Sequence, residues 1–298
     1  MVQSFGGSWS NRKLSALKEY LLSYLRIMNT NERAKYFRTI YVDGFAGSGR
    51  FKPNRKPSRP QQSELDLSEY DEAAEFAIGS ATMALELEAR FDEYIFIEKG
   101  KRNRAELSRL REQHPDLNVS ILPGDANEIL PKWAASLKPL DRAVVFLDPY
   151  GMQVDWNTIQ CLGKTKKVDL WLLVPSGQAL QRVLCKREIP EAWAARITRF
   201  FGREDWLDEF YPVTQTTTLF GPFEQRNRQV NLERLKTYMK SRLEKDFSGV
   251  LDSPIPLSNS NGLVLFHLFF AVGNPKGVKP ALRIAQSVSK KFSQKGGR

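Results

Sequence analysis

A glycine-rich stretch near the N-terminus has the residue types and the spacing to bind a ligand. It reads Val42-Asp43-Gly44-Phe45-Ala46-Gly47-Ser48-Gly49, follows a short β-branched run, and has the spacing D-x-F-x-G-x-G. Glycines after a strand let the backbone turn tightly and approach a ligand without a Cβ clash. Asp43, at the end of that strand, could accept from a ligand ammonium, directly or through water, and would repel a diphosphate. The stretch therefore predicts a site for a cationic, amino-acid-like ligand, with a plain glycine turn as the alternative.

A second stretch, Phe146-Leu147-Asp148-Pro149-Tyr150-Gly151, places an acid, a proline and an aromatic residue after a buried apolar run. The Asp148 carboxylate and the Pro149 carbonyl could accept hydrogen bonds from a planar exocyclic amine, and Tyr150 could stack on the base that carries it. Proline has no N–H but keeps its carbonyl and fixes the turn. Catalysis would then consist of positioning and electrostatics, with the amine lone pair held toward an electrophilic methyl. An ordinary turn from a strand to a helix is the alternative.

Two further acidic positions follow apolar runs. Glu98 ends EYIFIE and suits a ribose diol, which needs an acceptor for two hydroxyls; a solvated Glu at a strand end is the alternative. Asp125-Ala126-Asn127 follows the next run, where Asp125 could accept from an adenine amine or could cap a helix. Glu98 lies 55 residues after Asp43, against about 20 in dinucleotide-binding folds. The polar, proline-containing segment 50–78 accounts for the excess as an insertion.

The hydrophobic pattern predicts the elements that must position these residues. An amphipathic helix is expected at 11–28. Five strands are expected at Thr39–Val42, 93–98, within 117–125, within 142–151, and at 168–174. Helical segments are expected between them at 79–90, 101–113, 127–137 and 155–163. Because the later strands are almost continuously apolar, the pattern predicts an α/β, Rossmann-like fold, with a mostly parallel sheet covered by helices on both faces. We expect a single domain over 1–298.

The chain beyond the fifth strand has a different composition. A helical insertion is expected at about 186–245, followed by a strand at 263–272 and a basic helix at about 278–291. His267 lies inside the apolar strand and is expected to be a core residue. The insertion could form a nucleic-acid surface or its own small core, because aromatic residues alternate with arginines. These are Trp193, Phe200, Phe201, Trp206 and Phe210, with Arg196, Arg199 and Arg203.

Composition excludes several classes of protein. The 298 residues are 41% hydrophobic, enough for a sizeable core and too many for wholesale disorder. No apolar run reaches 18 residues, and the first residues lack the apolar region of a secretory signal, so we expect neither a transmembrane helix nor secretion. The two cysteines, Cys161 and Cys185, and the two histidines, His114 and His267, indicate a reducing, cytoplasmic compartment and no metal centre.

The net charge favours a polyanionic partner. The chain has 45 Lys+Arg against 34 Asp+Glu, a formal charge of +11. Basic residues concentrate in 1–60 and in the last 23 residues, which hold no acid. Residues 50–59 and the C-terminal helix would contact phosphates if the partner is a nucleic acid. A soluble basic surface is the alternative.

Taken in order, DGFAGSG, IEK, GDAN and LDPYG resemble the motifs of class I S-adenosylmethionine-dependent methyltransferases. More narrowly, the chain is similar to the three-Cys-motif partner protein (TcmP) family over most of 11–290, including KEYLLSYL and FHLFFAVGNPKG. The resemblance implies a partner protein with a three-cysteine motif and a catalytic set of Asp148, Pro149 and Tyr150 without a metal. It also implies that S-adenosylmethionine is held by Asp43, Gly44, Phe45, Ala46, Gly47, Gly49, Glu98, Asp125 and Ala126.

The resemblance indicates that an exocyclic amine is methylated, but it does not identify the nucleobase that carries the amine. Adenine amino-methyltransferases usually carry D-P-P-Y or N-P-P-Y, whereas this chain has Asp148-Pro149-Tyr150-Gly151. The D-P-Y-G form is also similar to the motif of tRNA guanine-N2 dimethyltransferases. We therefore expect methyl transfer to an exocyclic amine of a nucleobase in DNA or RNA. The alternatives are a non-catalytic subunit that binds a companion protein, and nucleic-acid binding without transfer.

Overall fold

The computed structural model describes residues 8–49, 79–184, 189–218 and 221–293, and an eight-stranded sheet lies at its centre. Five strands pair in parallel: β1 (Arg38–Asp43), β2 (Glu93–Glu98), β3 (Val119–Pro123), β4 (Asp141–Leu147) and β5 (Val168–Val174). A separate hairpin follows, formed by β6 (Val213–Thr218) and β7 (Gly221–Arg226). Three strands complete the sheet: β8 (Gly249–Val250), β9 (Ile255–Ser258) and β10 (Val264–Val272).

The strand order is β3-β2-β1-β4-β5-β10-β8, and β9 also pairs with β10. β10 runs antiparallel to β5, whereas all neighbours from β3 to β5 are parallel. The order reverses between β1 and β4, which lie side by side at the centre. In open α/β sheets such a reversal opens a crevice at the carboxyl ends of the strands, where ligands bind. The α/β, Rossmann-like fold with a mostly parallel sheet is therefore confirmed.

Helices cover both faces of the sheet because each strand sends alternate apolar side chains to opposite sides. On one face, α1 (Ser8–Thr30), α2 (Ser80–Leu85), α3 (Lys101–Glu112) and α10 (Val278–Ser293) pack on residues such as Tyr41 and Trp171. On the other face, residues such as Val42 and Leu172 lie under the remaining helices. These are α4 (Ala126–Ser136), α5 (Trp156–Lys164), α6 (Gln178–Leu184), α7 (Glu191–Phe201), α8 (Trp206–Phe210) and α9 (Leu232–Asp246). No described helix has the length and apolarity needed to span a bilayer.

Two expected elements differ from the structure. The helix expected at 79–90 ends at Leu85, although Met83, Leu87 and Phe91 are all buried. Their four-residue spacing resembles the buried stripe of a helix, but Leu87 and Phe91 are buried outside any helix. The stretch 186–245 contains the expected helices, yet it also contains the β6–β7 hairpin. The threonines of β6 are β-branched and favour a strand, a signal that the aromatic and charged residues before them obscure.

The predicted insertion at 50–78, with its basic residues 50–59, lies outside the described residues, as do Cys185 and 294–298. The two residues that flank the insertion meet directly. Gly79 donates its N–H to the carbonyl of Gly49 at 3.0 Å. A Cβ on Gly79 would lie 2.6 Å from that carbonyl oxygen, so a glycine is required for this approach. The described chain therefore has Gly49 and Gly79 in direct contact, although 29 residues separate them in the sequence.

Candidate functional site

A cleft of about 670 Å³ opens at the carboxyl edge of the sheet, where β1 to β4 end. The glycine-rich stretch and the Asp-Pro-Tyr stretch both open onto it, through Gly44 and Phe45 of the first and Asp148 and Tyr150 of the second. The other predicted site residues in its lining are Glu98, Asp125 and Ala126. The cleft thus brings together seven of the twelve predicted residues, which come from four separate strand ends.

The glycine turn is held in shape by Asp43, which is fully buried and lies outside the described lining of the cleft. Its Oδ1 accepts from the N–H of Phe45 at 3.1 Å, and its Oδ2 accepts from the Ser80 hydroxyl at 2.5 Å. Burial raises the pKa of Asp43 to about 7, against the lowering effect of these two hydrogen bonds. The structure therefore gives Asp43 a direct role in the loop and does not present it to a ligand.

The other predicted residues of the turn support the loop. Ala46 is buried and donates its N–H to the carbonyl of Ile97 at 3.1 Å, which ties the turn to β2. Gly47 and Gly49 have positive φ angles of 59° and 70°, a conformation that glycine adopts without a Cβ penalty. The glycines thus serve the turn itself, and Gly44 and Phe45 form its ligand-facing part.

Glu98 and Asp125 lie side by side in the cleft at the ends of β2 and β3. Glu98 Oε1 accepts from the N–H of Gly100 at 2.5 Å. Asp125 is the N-cap of α4 and accepts from the N–H of Asn127 at 2.9 Å, so the helix-cap interpretation of Asp125 is correct. Lys99 Nζ lies 3.6 Å from Asp125 Oδ2. Each carboxylate thus uses one oxygen to fix its loop.

Asn127 ties this part of the cleft to the loop that carries Tyr150. Its Oδ1 accepts from the N–H of Asp155 at 2.9 Å and from the Thr158 hydroxyl at 3.0 Å. Its Nδ2 donates to the carbonyl of Gln153 at 2.8 Å. The sequence around Asn127 indicates only a capping residue, because nothing local indicates a partner 28 residues away.

In the Asp148–Gly151 turn, Tyr150 is exposed in the cleft and Pro149 is buried. Tyr150 is 56% exposed and lines the cleft. Pro149 is buried and lies outside the described lining. Asp148 lines the cleft, but its Oδ2 pairs with the ammonium of Lys13. The arrangement gives an exposed stacking face beside a carboxylate that is already neutralised.

Lys13 is the residue of this site that sequence reasoning missed. It lies on α1, is 5% exposed, and its ammonium is 5.2 Å from the ring centroid of Trp9. A signal was present, since Lys13 falls at positions i−4 and i−7 from the buried Leu17 and Tyr20. A lysine on the buried stripe of an amphipathic helix requires a partner, because an unpaired buried charge is costly.

The insertion contributes two cations to the mouth of the cleft. Arg196 and Arg199 of α7 line it, and Arg196 lies 5.4 Å from the ring of Trp193. The other aromatic residues of this group are fully buried, so the interpretation as the insertion's own core is correct for them: Phe200, Phe201, Trp206 and Phe210. The stretch therefore divides into a buried aromatic side and a basic side that faces the cleft.

His267 is a buried core residue, as expected. Its Nδ1 lies 2.6 Å from the Ser176 hydroxyl, and burial lowers the pKa of His267 to about 4. Pro175 and Ser176, which follow β5, are buried and lie outside the described lining of the cleft. In the described parts of the chain, no group of three His, Cys, Asp or Glu side chains could hold a metal ion.

Comparison with known proteins gives similarity at the level of structure alone. No family model matches the chain, and no curated protein matches it. Protein LPL1258 from Legionella pneumophila, of family DUF519, is 12% identical, with 97% of this chain and 94% of that chain covered and a TM-score of 0.47. An S-adenosylmethionine-dependent methyltransferase from Clostridium acetobutylicum is 9% identical, with 87% and 92% covered and a TM-score of 0.35. TYW2 from M. jannaschii, in complex with AdoMet, is 14% identical, with 91% and 77% covered and a TM-score of 0.36.

Proposed function

We propose that this protein is an S-adenosylmethionine-dependent methyltransferase that acts on an exocyclic amine of a nucleobase in DNA or RNA. The observation that carries the proposal is the shared cleft. The glycine turn after β1 and the Asp148–Tyr150 turn after β4 open onto the same space, at the edge of the sheet where ligands bind. A partner with a three-cysteine motif is part of the proposal, on the strength of the sequence resemblance.

The side chains of the cleft fit S-adenosylmethionine in charge and in hydrogen-bonding type. Five carboxylates and three cations are in its described lining, and Glu98 and Asp125 each hold their loop through one oxygen. Their second oxygens suit the ribose hydroxyls and the adenine amine, which are donors. A cationic ligand with several donors is favoured in such an acidic pocket, whereas a diphosphate is disfavoured. When bound, this cofactor supplies a methyl group on a positively charged sulfur.

The residues around Tyr150 would position the acceptor. Tyr150 offers an exposed ring on which a base can stack. Asp148 keeps Oδ1 without a donor among the described residues, while Lys13 holds Oδ2. Oδ1 can accept a hydrogen bond from the amine and so orient the lone pair of the amine nitrogen. Catalysis then consists of positioning and electrostatic stabilisation. Lys13 fixes the rotamer of Asp148 for this task.

The rim of the cleft suits a nucleic-acid substrate. Arg196 and Arg199 line the same cleft as the exposed Tyr150, and guanidinium groups bind phosphate oxygens well. An aromatic stacking face next to cations is the usual arrangement for an unpaired base and its backbone. A base in a duplex would have to be flipped out to reach Asp148.

Calorimetric titration with S-adenosylmethionine tests the cofactor site. The wild-type chain should bind, and Glu98→Gln should weaken binding by about tenfold, because a charged acceptor for the ribose is lost. Glu112→Gln is the matched control, since it removes the same charge at the exposed end of α3, outside the cleft lining, and should bind normally. A folded wild-type chain that does not bind would contradict the proposal, as would equal affinity of the two variants.

One observation favours a second candidate function, a non-catalytic subunit that keeps the fold. Lys13 already neutralises the carboxylate that would orient the amine. In that case the cleft would bind a ligand without transfer, and α1 would hold the acceptor side closed. Binding of S-adenosylmethionine without methyl transfer to any nucleic acid, even with the partner present, would identify this second function.

A further inference from the structure

A second cavity, of about 540 Å³, lies at the opposite edge of the sheet. Arg142 near the start of β4 and Asp169 near the start of β5 line it, whereas Asp148, just after β4, lines the cleft. At about 3.3 Å per residue, the length of β4 separates the two spaces by roughly 20 Å. The second cavity is therefore a separate site, to which the proposed function assigns nothing.

Its walls are largely aromatic and aliphatic. Side chains come from the C-terminal half of α1, from the loop before β1 and from the first turns of α10: Tyr20, Tyr24, Met28, Phe37, Ala281 and Ile284. Concave, mostly apolar spaces of roughly 300–1,000 Å³ with a few polar groups are typical of small-molecule sites. The apolar walls favour a ligand with an aromatic or aliphatic body.

Four cationic side chains line the same cavity: Arg33, Arg142, Lys167 and Lys276. Asp169 is the acid in its described lining, and its Oδ2 accepts from the Tyr20 hydroxyl at 2.9 Å. Burial raises the pKa of Asp169 to about 7, so this carboxyl is partly protonated near neutral pH. The balance of charge in the cavity is therefore positive.

One donor of this lining, the buried Nε of Arg142, has no acceptor among the described residues. The Arg142 guanidinium lies 3.8 Å from the ring centroid of Phe37, and its Nη1 donates to the carbonyl of Pro139 at 3.0 Å, while its buried Nε has no partner within the described chain. The side chains of Arg33 and Lys276 are exposed and have no ion-pair partner among the described residues. Buried donors normally have acceptors. The unpartnered Arg142 Nε, together with the positive charge of the exposed Arg33 and Lys276 in the same lining, therefore favours an anionic ligand.

We propose that this second cavity binds a small organic anion, with its carboxylate or phosphate on Arg33, Arg142 and Lys276 and its apolar body against Tyr24 and α10. Lys167 is a weaker candidate for contact, since its Nζ already donates to the carbonyl of Leu137 at 2.7 Å. A neutral ligand of the same shape would leave the cations unpaired and would bind less well.

Fluorescence titration of the full chain with 1-anilinonaphthalene-8-sulfonate, an aromatic anion, tests the site. Phenyl phosphate and benzoate should displace the probe, and the stronger of the two identifies the preferred anionic group. Benzyl alcohol, which is uncharged, should not displace it. Arg33→Gln/Lys276→Gln should weaken binding by about tenfold or more, since two charge-assisted contacts are lost.

Arg26→Gln/Lys279→Gln is the matched control, because it removes two charges from exposed positions of α1 and α10 outside the cavity lining. The control should bind the probe as the wild type does. Equal loss in both double variants would overturn the proposal, as would equal displacement by benzyl alcohol or no binding at all. The titration is independent of the cleft, so S-adenosylmethionine affinity should be the same in both double variants.

Discussion

Lys13 on the first helix forms an ion pair with Asp148 at the end of β4, 135 residues later in the chain. The lysine side chain is 6% exposed and the aspartate side chain 23%, so neither charge is well solvated. The contact fixes the N-terminal part of α1 over the acceptor side of the cleft. It also determines how the carboxylate of the candidate catalytic set can act.

Lys13→Met should therefore destabilise the fold by about 2 kcal/mol, because it leaves Asp148 without its counter-charge in a partly buried position. The value lies below that for a fully buried pair because water still reaches Asp148. Urea unfolding measures the loss. Lys13→Met/Asp148→Asn should recover much of it, since no unpaired charge is left.

The matched control is the exposed ion pair between Lys291 of α10 and Glu19 of α1. Lys291→Met should cost less than about 1 kcal/mol, as for most surface ion pairs. Equal losses for the two lysine variants would mean that the Lys13–Asp148 contact has no special role.

Asp169 should make the fold less stable as the pH rises from about 4 to about 7. Burial raises its pKa to about 7 in the folded protein, whereas an unfolded Asp titrates near 3.9. The folded state therefore binds more protons in this window, and the free energy of unfolding falls with increasing pH. Asp169→Asn should make the slope of stability against pH more positive than in the wild type. An unchanged slope would show that this carboxyl titrates normally.

His267 should have the opposite effect over a similar window. Burial lowers its pKa to about 4, whereas an unfolded His titrates near 6.5. The unfolded state binds more protons, so stability is lost as the pH falls from about 6.5 toward 4. Chemical unfolding of His267→Gln at several pH values should give a more negative slope than the wild type. A more positive slope would contradict the burial argument.

Gly79 and Gly47 should differ sharply in their tolerance of a side chain. Gly79→Ala should cost about 2 kcal/mol or more, because its Cβ would lie 2.6 Å from the backbone of Gly49. Gly47→Ala should cost only about 1 kcal/mol, since its positive φ is the sole penalty and no described atom lies within 4 Å of the new Cβ. Urea unfolding of the two variants compares them, and a reversed order would contradict this account of the turn.

The sequence was sufficient for most of the fold because apolar periodicity reports strands and helices directly. The bounds of β2 and β5 are those expected, and α1 extends the expected helix by a few residues at each end. The β6–β7 hairpin was missed because the sequence VTQTTT of β6 does not alternate apolar with polar residues. The short strands β8 and β9 depend on pairing with β10, which local propensity does not encode.

Site residues that lie in a motif at the end of a strand could be predicted. A site residue contributed by a distant element could not. Gly44, Glu98, Asp125 and Asp148 follow strand ends and share the cleft, as the topology of a parallel sheet requires. Lys13 reaches the site from another element, and its pairing with Asp148 depends on how α1 crosses the sheet. Asp43 was expected to face a ligand, but the depth of the turn buries it against Ser80.

Tritiated-methyl transfer from S-adenosylmethionine to total DNA and to total RNA, with and without the three-Cys-motif partner, tests the central claim most directly. The wild type should label one of these substrates. Asp148→Ala, confirmed as folded, should lose about 100-fold or more in rate while its S-adenosylmethionine affinity stays within about twofold. Transfer by Asp148→Ala at the normal rate, or a wild type that binds the cofactor and labels neither substrate with the partner present, would contradict the account.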